Sequence, residues 1–560
     1  MTVDIEKTHP NGASARPNIA AADEALLASL GYKQEFKREF TGLETFGIAF
    51  SIIGLLPSIA SVLSDSLPSG GAAAMVWGWL VASIFILLVG MSMAELASAA
   101  PTSGGLYFWT HSLSSPRWRN LLAWIVGYAN TIGSIASIAS IDWGCAVQVM
   151  AAVSIGSPNQ SFSATAGQVF GVYAAIVISH AVICCLGTKV LARLQTVYVV
   201  LNVLLCLAVI IALPAATPKE YRNSAAYAFG NFTNLNGWTN GYAFILSFLA
   251  PLWTICSFDS SVHISEEASN AATTVPWAIV YAIGIAGVLG WAINVALAFC
   301  MGTDLDGIMS SPVGQPMAQI FFNAFGKNGT LALWAFVVLV QYMMGSSMVC
   351  PPSLPFIQLF SPSYDAKVLA ASRQSFAFSR DGALPFSSWL YRMNSFTGTP
   401  VNTVYFTCAF SLLLGLLAFA GDAAINAIFS LSVVALYVAY AIPIAARFLG
   451  DNDFQPGPFS LGRWSAPVAA VAIAWMAFMG IVFLFPTTPQ TDVADMNYAV
   501  VVLGGVLILS LVWYYFPVYG GVHWFTGPVS TIERTAANSP RQSQDTLEKK
   551  GGASVAEQSA

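Results

Sequence analysis

The chain has 560 residues, with 22 Lys and Arg, 27 Asp and Glu, and a formal charge of −5. Hydrophobic residues make up 56% and charged residues 9%, against about 25% charged in ordinary soluble domains, too few to cover a water-soluble body of this size. This excludes a soluble enzyme, a disordered chain and, for want of a basic excess, a nucleic-acid binder. A polytopic helical protein of the lipid bilayer remains.

In chain order, residues 1–40 are polar, carry charges such as Lys33, Lys37 and Arg38, and show no signal peptide. A bilayer-spanning helix needs about 20 mostly apolar residues. Twelve stretches qualify: 42–64, 72–97, 119–150, 168–187, 193–213, 240–261, 275–301, 329–349, 400–420, 423–446, 467–486 and 498–518. These are numbered below as segments one to twelve. They divide the chain into a ten-helix core over 41–446, two further helices over 447–518 and a polar tail over 519–560. Both tails read as disordered by composition.

An even number of crossings puts both termini on one side. With that side cytoplasmic, 19 of the 22 Lys and Arg face inward, and only Lys219, Arg222 and Lys327 lie outside, as the positive-inside rule expects. The sequons at Asn159, Asn231 and Asn328 then all fall in external loops, as candidates for glycosylation. The eight cysteines lie in apolar stretches without C-x-x-C spacing and read as buried free thiols. The five histidines are scattered and suggest no metal cluster, and no P-loop, H-E-x-x-H or G-x-S-x-G occurs. Neither a metal, nor a cofactor, nor catalysis is expected.

Two segments carry interruptions. In segment one, Ser51-Ile52-Ile53-Gly54-Leu55-Leu56-Pro57 combines a permissive glycine with a proline that disfavours helix before it. The alternatives are a break near 53–57 and a simple proline kink. Segment six carries a polar run, Trp253-Thr254-Ile255-Cys256-Ser257-Phe258-Asp259, where its middle should be. Interrupted helices at corresponding places in two repeats, here about 42–213 and 240–446, point to a transporter binding site. An acid within a span costs about 2.5–3.5 kcal/mol at a helix centre on insertion scales. Asp142 lies about 35 Å along segment three from Arg119. It is expected near the outer surface, either simply solvated or attracting a cationic solute. Asp259, beside the interruption, is a candidate for proton coupling.

Three stretches carry a family resemblance: Phe46–Ala60 in segment one, Met93–Trp109 after segment two, and Ser372–Pro385 before segment nine. Over about 31–520 the chain resembles the amino acid–polyamine–organocation (APC) superfamily, within it the fungal amino acid/choline transporter branch. The run Gly31–Phe40 into segment one looks most like fungal GABA permeases.

The resemblance implies an all-α fold of LeuT type, with two inverted five-helix repeats plus helices eleven and twelve. It implies that main-chain N–H groups around Gly54, Leu55 and Leu56 hold a substrate carboxylate, while Ser51 and Ile52 face the amino group. Trp253 takes the capping aromatic position, and Ser257, Phe258 and Asp259 follow where relatives carry Gly-Phe-acid. Asn202 stands where some proton-coupled relatives carry a lysine. Glu95 and Arg380 are implied as scaffold or gating ion-pair residues at the cytoplasmic face. The expected activity is import of a small zwitterionic or amine solute, GABA-like, driven by protons, at the plasma membrane and without an obligate protein partner. Choline, polyamine or amine-metabolite transport and a nutrient sensor with little flux are the alternatives.

Overall fold

A computed structural model of the protein describes residues 19–32, 41–186, 188–349, 370–392, 401–489, 492 and 496–529. Most of both tails, and much of the loop between segments eight and nine, lie outside the described residues. Helices make up the fold, and the only β pairing among the described residues is an isolated bridge between Ser69 and Asn234.

Among the described residues ten helices are long and apolar enough to cross a membrane, and they correspond to segments one to five and seven to eleven. Segment six is divided into Asn240–Leu246, Leu249–Thr254 and Ser260–His263. Segment twelve, Ala499–Tyr514, has 16 residues, about 24 Å at the α-helical rise. It stops because Phe516 precedes Pro517, and a residue before proline is pushed out of helical geometry. Segment three continues to Gly156, six residues beyond the expected end. Segment eight belongs to a helical stretch that begins at Pro316, with Gly326 (φ 67, ψ −178) interrupting it.

Within lipid, helices associate by close van der Waals packing, so small residues mark their contacts. Segments two and seven pack in this way. The Trp79 ring lies over Gly290, where an added Cβ would sit 2.1 Å away, and its Nε1 donates to the Gly287 carbonyl at 3.0 Å. Segment three packs against segments eight and ten, with Gly133 receiving Leu436 of segment ten, while Gly127 receives Phe378 of the short helix Ala370–Arg380 that precedes segment nine. Large apolar side chains such as Ile211, Val288 and Leu509 point outward, as suits contact with lipid tails.

Parts of both tails pack on this body, which corrects the reading of them as disordered. Ile19–Ser29 is a helix whose Asp23 carboxylate accepts the Asn270 N–H at 2.8 Å, and Leu27 and Tyr32 are buried. At the other terminus Phe525 is buried and its carbonyl accepts from Asn120. The apolar anchors Leu27, Tyr32 and Phe525 explain the docking, and mean polarity hid them. Arg117, Arg380, Arg447 and Arg463 share one end of the bundle, called the basic end below, where Asn452 donates to the Leu113 carbonyl, Tyr107 to Asp381, and Arg447 and the Leu461 N–H to Glu95.

Candidate functional site

Segment one is broken at Gly54, which takes φ 47, ψ 55 between the helices Gly42–Ile53 and Leu55–Ser66. A bend at Pro57 alone would leave the backbone helical, so the kink alternative is set aside. The new helix opens with Leu55 and Leu56, whose N–H groups belong to the first turn and have no intrahelical acceptor. Pro57 has no N–H to satisfy. The Ser58 hydroxyl donates back to the Ile53 carbonyl at 2.8 Å, and Met344 of segment eight fills the space beside Gly54. Ser51, Ile52, Leu55 and Leu56 are all buried at this break.

Segment six breaks over 255–259. Here Ser257 adopts φ 58, a left-handed conformation that costs an L-residue about 1–2 kcal/mol, at the position where the resemblance expects glycine. The two breaks lie side by side. Leu249–Thr254 packs on Leu55–Ser66, and Ser260–His263 packs on Gly42–Ile53. The Trp253 indole N–H donates to Ser140 Oγ at 2.9 Å, and its ring meets Phe429 of segment ten at 4.8 Å. Ser257 Oγ is 3.4 Å from Ser137 Oγ, and Phe258 packs against Tyr440 at 5.2 Å.

Asp259 is buried at the basic side of this break, where the Tyr440 hydroxyl donates to its Oδ1 at 2.7 Å. Its Oδ2 is 3.3 Å from His263 Nε2. The other ring nitrogen of His263 lies 3.0 Å from the Ser103 carbonyl. A carbonyl only accepts, so Nδ1 carries a proton. Nε2 is then free to accept from Asn130, 3.4 Å away, when the ring is neutral, and to donate to Asp259 when it is charged. Sequence reasoning missed His263, although its i, i+4 spacing from Asp259 was in view. Tyr440, Ser137, Ser140 and Met344 come from distant segments and carried no local signal.

Other expected residues lie elsewhere. Asp142 is not near a surface: it is wholly buried, with both carboxylate oxygens within 3.3 Å of His180 Nδ1. The prolongation of segment three past 150 carries the outer helix end beyond it, which removes the basis for an outer cation-attracting role. Asn202 is buried on segment five, and its Nδ2 has no hydrogen-bond partner among the described residues. Glu95 and Arg380 do not pair with each other. Glu95 accepts from Arg447 at 2.6 Å, Ser465 at 2.6 Å and the Leu461 N–H at 2.8 Å, tying segment two to the link between segments ten and eleven. Arg380 lies over the Tyr32 ring at 4.9 Å, with its Nε 3.8 Å from Asp381. Asn159 and Asn328 are exposed, although Asn328 falls within a helical stretch, not the loop expected. Asn231 is half-buried, and its side chain accepts from its own sequon's Thr233.

The second and third sequence motifs meet at the basic end. Asp381 accepts the Tyr107 hydroxyl at 2.9 Å and the Val529 N–H at 3.2 Å, and the Ser103 N–H donates to Glu266 at 2.9 Å. Burial raises the Asp381 pKa, with Arg380 opposing the shift. Burial and the neighbouring Asp381 hold Tyr107 well above its ordinary value. The cluster is closed and packed, whereas the opposite end opens into a cavity of about 380 Å³ lined by Ser61, Gly144, Gln315, Asp422, Asn426 and Phe429 among others.

The profile of the family described as amino acid permease matches residues 40–507. The GABA-specific permease of Saccharomyces cerevisiae is 39% identical over 498 residues, covering 88% of this chain and 84% of that one. An uncharacterized amino-acid permease of Schizosaccharomyces pombe is 39% identical over 516 residues, covering 92% and 90%. Amino-acid permease 2 of Neurospora crassa is 35% identical over 544 residues, covering 97% and 96%.

Proposed function

The chain belongs to the amino acid permease family, and from that premise we propose that it imports a small amino acid or amine, GABA-like, in exchange for the energy of a proton gradient. The protein is a multi-pass membrane transporter and not an enzyme. The observation that carries the proposal is the pairing of breaks at Gly54 and around Ser257, side by side on segments one and six. First-turn N–H groups at Leu55 and Leu56, the latter facing the Cys206 thiol, suit a carboxylate, because a helix N-terminus favours negative charge. Oxygens near Ser51 and Ile52 suit an ammonium. GABA is favoured as the solute by the name of the yeast relative.

In this reading all twelve segments cross the bilayer as two inverted five-helix repeats plus two helices. The basic end and both termini are cytoplasmic, the plasma membrane is the site of action, and Asn159 is an external sequon. Trp253 and Phe258 bound the solute, and Asp259 with His263 carries the coupling proton. The cycle rocks the interrupted helices around a fixed midplane site.

The test is a panel of GABA, other amino acids, choline and putrescine on purified protein in proteoliposomes at two external pH values. GABA uptake that rises with external acidity is expected. Choline outcompeting GABA would overturn the substrate assignment, and uptake indifferent to pH would overturn the coupling. Asp259→Asn is expected to flatten the pH profile, and an unchanged profile would clear Asp259 of that role.

A further inference from the structure

The Asp142–His180 pair joins segments three and four, both side chains are wholly buried, and the ion-pair distance is 3.2 Å. Nothing in the substrate site uses it. Burying ionised groups costs several kcal/mol per ion even in real proteins, so an ionisable pair at membrane depth signals function by default. A permanent structural bridge would also satisfy its remaining valences. Here His180 Nε2 has no hydrogen-bond partner among the described residues, nor have the side-chain carbonyl oxygens of the buried Gln148 and Gln341.

These groups form a trail. It starts at Ser61 and Gly144, which line the cavity opposite the basic end. Gln148 Nε2 donates to Ser61 Oγ at 3.1 Å, and Gln341 Nε2 donates to the Ile141 carbonyl at 3.0 Å, one residue from Asp142. One turn beyond Gln341 on segment eight stands Gly345. A Cβ there would lie 2.3 Å from Asp142 Oδ1 and 2.7 Å from the His180 ring. The adjacent residue, Met344, is the side chain that fills the break at Gly54. The pair therefore sits between an open cavity and the interrupted helix, one residue removed from the contact that reports on that break.

We propose that the Asp142–His180 pair is a second proton-binding site of the transport cycle, loaded from the cavity opposite the basic end. It rests on the proton-coupled reading above and gives that proton an entry point upstream of Asp259. The titratable groups around the pair are Cys145 on segment three, Tyr173 and Cys184 on segment four, Tyr342 on segment eight and Cys408 on segment nine. Among the described residues no Lys or Arg faces it. The Tyr342 ring lies 4.4 Å from His180. When the proton arrives, the carboxylate and imidazole change their shared charge, and Gly345, packed against both, passes the change to Met344.

The experiment uses the full chain in proteoliposomes with radiolabelled GABA, a trapped pH dye, and GABA–GABA exchange at equal pH. Asp142→Asn and His180→Gln are expected to lower GABA-driven proton influx by about tenfold or more, with exchange within about twofold of wild type. A folded variant that keeps its proton influx, or one that loses exchange to the same degree, overturns the proposal. Wild-type GABA flux without proton movement instead defeats the coupled reading itself. If neither variant folds, ¹⁵N-histidine NMR of the wild type, assigned by replacing the other four histidines, reads His180 directly. A change in its ring signals on acidification is expected, and an invariant ring overturns the proposal.

Discussion

Replacement of Gly54 tests the interrupted helix most directly. Its backbone is left-handed, with φ 47 and ψ 55, a conformation that costs an L-residue about 1–2 kcal/mol. An added Cβ also meets Met344 Sδ at 2.5 Å and Cγ at 3.1 Å. Overpacking of this kind costs about 1–3 kcal/mol, less where the obstructing side chain is as flexible as methionine. Together the two effects raise the interrupted conformation by about 2–5 kcal/mol, or about thirtyfold to several thousandfold in population at ~1.4 kcal/mol per decade. Alanine takes the lower part of that range, and valine, stiff at χ1, takes the upper. Initial GABA uptake rates, normalised to the amount of transporter in the membrane, should fall about thirtyfold in Gly54→Ala and vanish in Gly54→Val. Met344→Ala placed in the Gly54→Ala background removes the obstruction, about 1 kcal/mol, and leaves the backbone cost, so uptake should recover by about fivefold, short of wild type. Wild-type uptake by Gly54→Val would refute the site on segment one. A double variant no better than Gly54→Ala would refute the packing part of the reasoning.

Ser257→Gly removes the left-handed penalty and should raise stability by about 1 kcal/mol with transport retained, while Ser257→Val should abolish transport; thermal melting and uptake distinguish the two. Glu95→Gln strands Arg447 in a largely buried place. It should destabilise the protein by about 3 kcal/mol, the lower end for a broken buried pair because Arg447 keeps some exposure. Arg447→Met in the same background should restore part of the melting temperature. His111 touches the docked C-terminal segment through the Thr526 backbone, and burial followed by Arg119 lowers its pKa from the ordinary 6.5. A lowered histidine pKa favours the docked state fully above 6.5 and progressively less as pH falls towards the shifted value. Protection from hydrogen exchange over 520–529, relative to the intrinsic rate at each pH, should therefore fall on acidification below about pH 6.5, and His111→Gln should remove that pH dependence.

Much of the architecture was readable because lipid imposes simple rules. Apolar runs of the right length became helices, and Gly54-Leu55-Leu56-Pro57 gave away the first break because glycine and proline act locally. Failures came where distant chain decides the outcome. Asp142 looked peripheral because its depth was measured from Arg119 to a helix end that proved to lie further on, and its partner His180 is on another segment. Glu95 drew its cation from Arg447, 352 residues away, which no local spacing could reveal. The docked pieces of the tails were lost in averaging, since Leu27, Tyr32 and Phe525 are single anchors in polar surroundings. Ser257 is the reverse case. A serine stands where the resemblance expects glycine, and the structure adds a strained backbone that composition does not encode.

The same geometry discriminates between solutes that the sequence left open. A quaternary ammonium binds to exposed aromatic faces arranged around a hole. Here the rings are committed to each other: Trp253 is held by Ser140 and set edge-on to Phe429, and Phe258 lies against Tyr440, whose hydroxyl is bound to Asp259. Opening those pairs to make a cage would cost about 0.5–1.5 kcal/mol for each, against a gain from choline of about 2 kcal/mol when desolvated. A solute with a carboxylate and a primary amine finds hydrogen-bonding groups at the breaks already, at Leu55, Leu56, Ser137 and Ser257, and needs only to exchange hydrogen bonds such as that from Ser137 to the Gly133 carbonyl rather than to part packed rings. Choline in about hundredfold excess should therefore leave GABA uptake nearly unchanged. Displacement at equal concentration would mean that the rings part in the binding state, and that the carboxylate is not what the bared main chain holds.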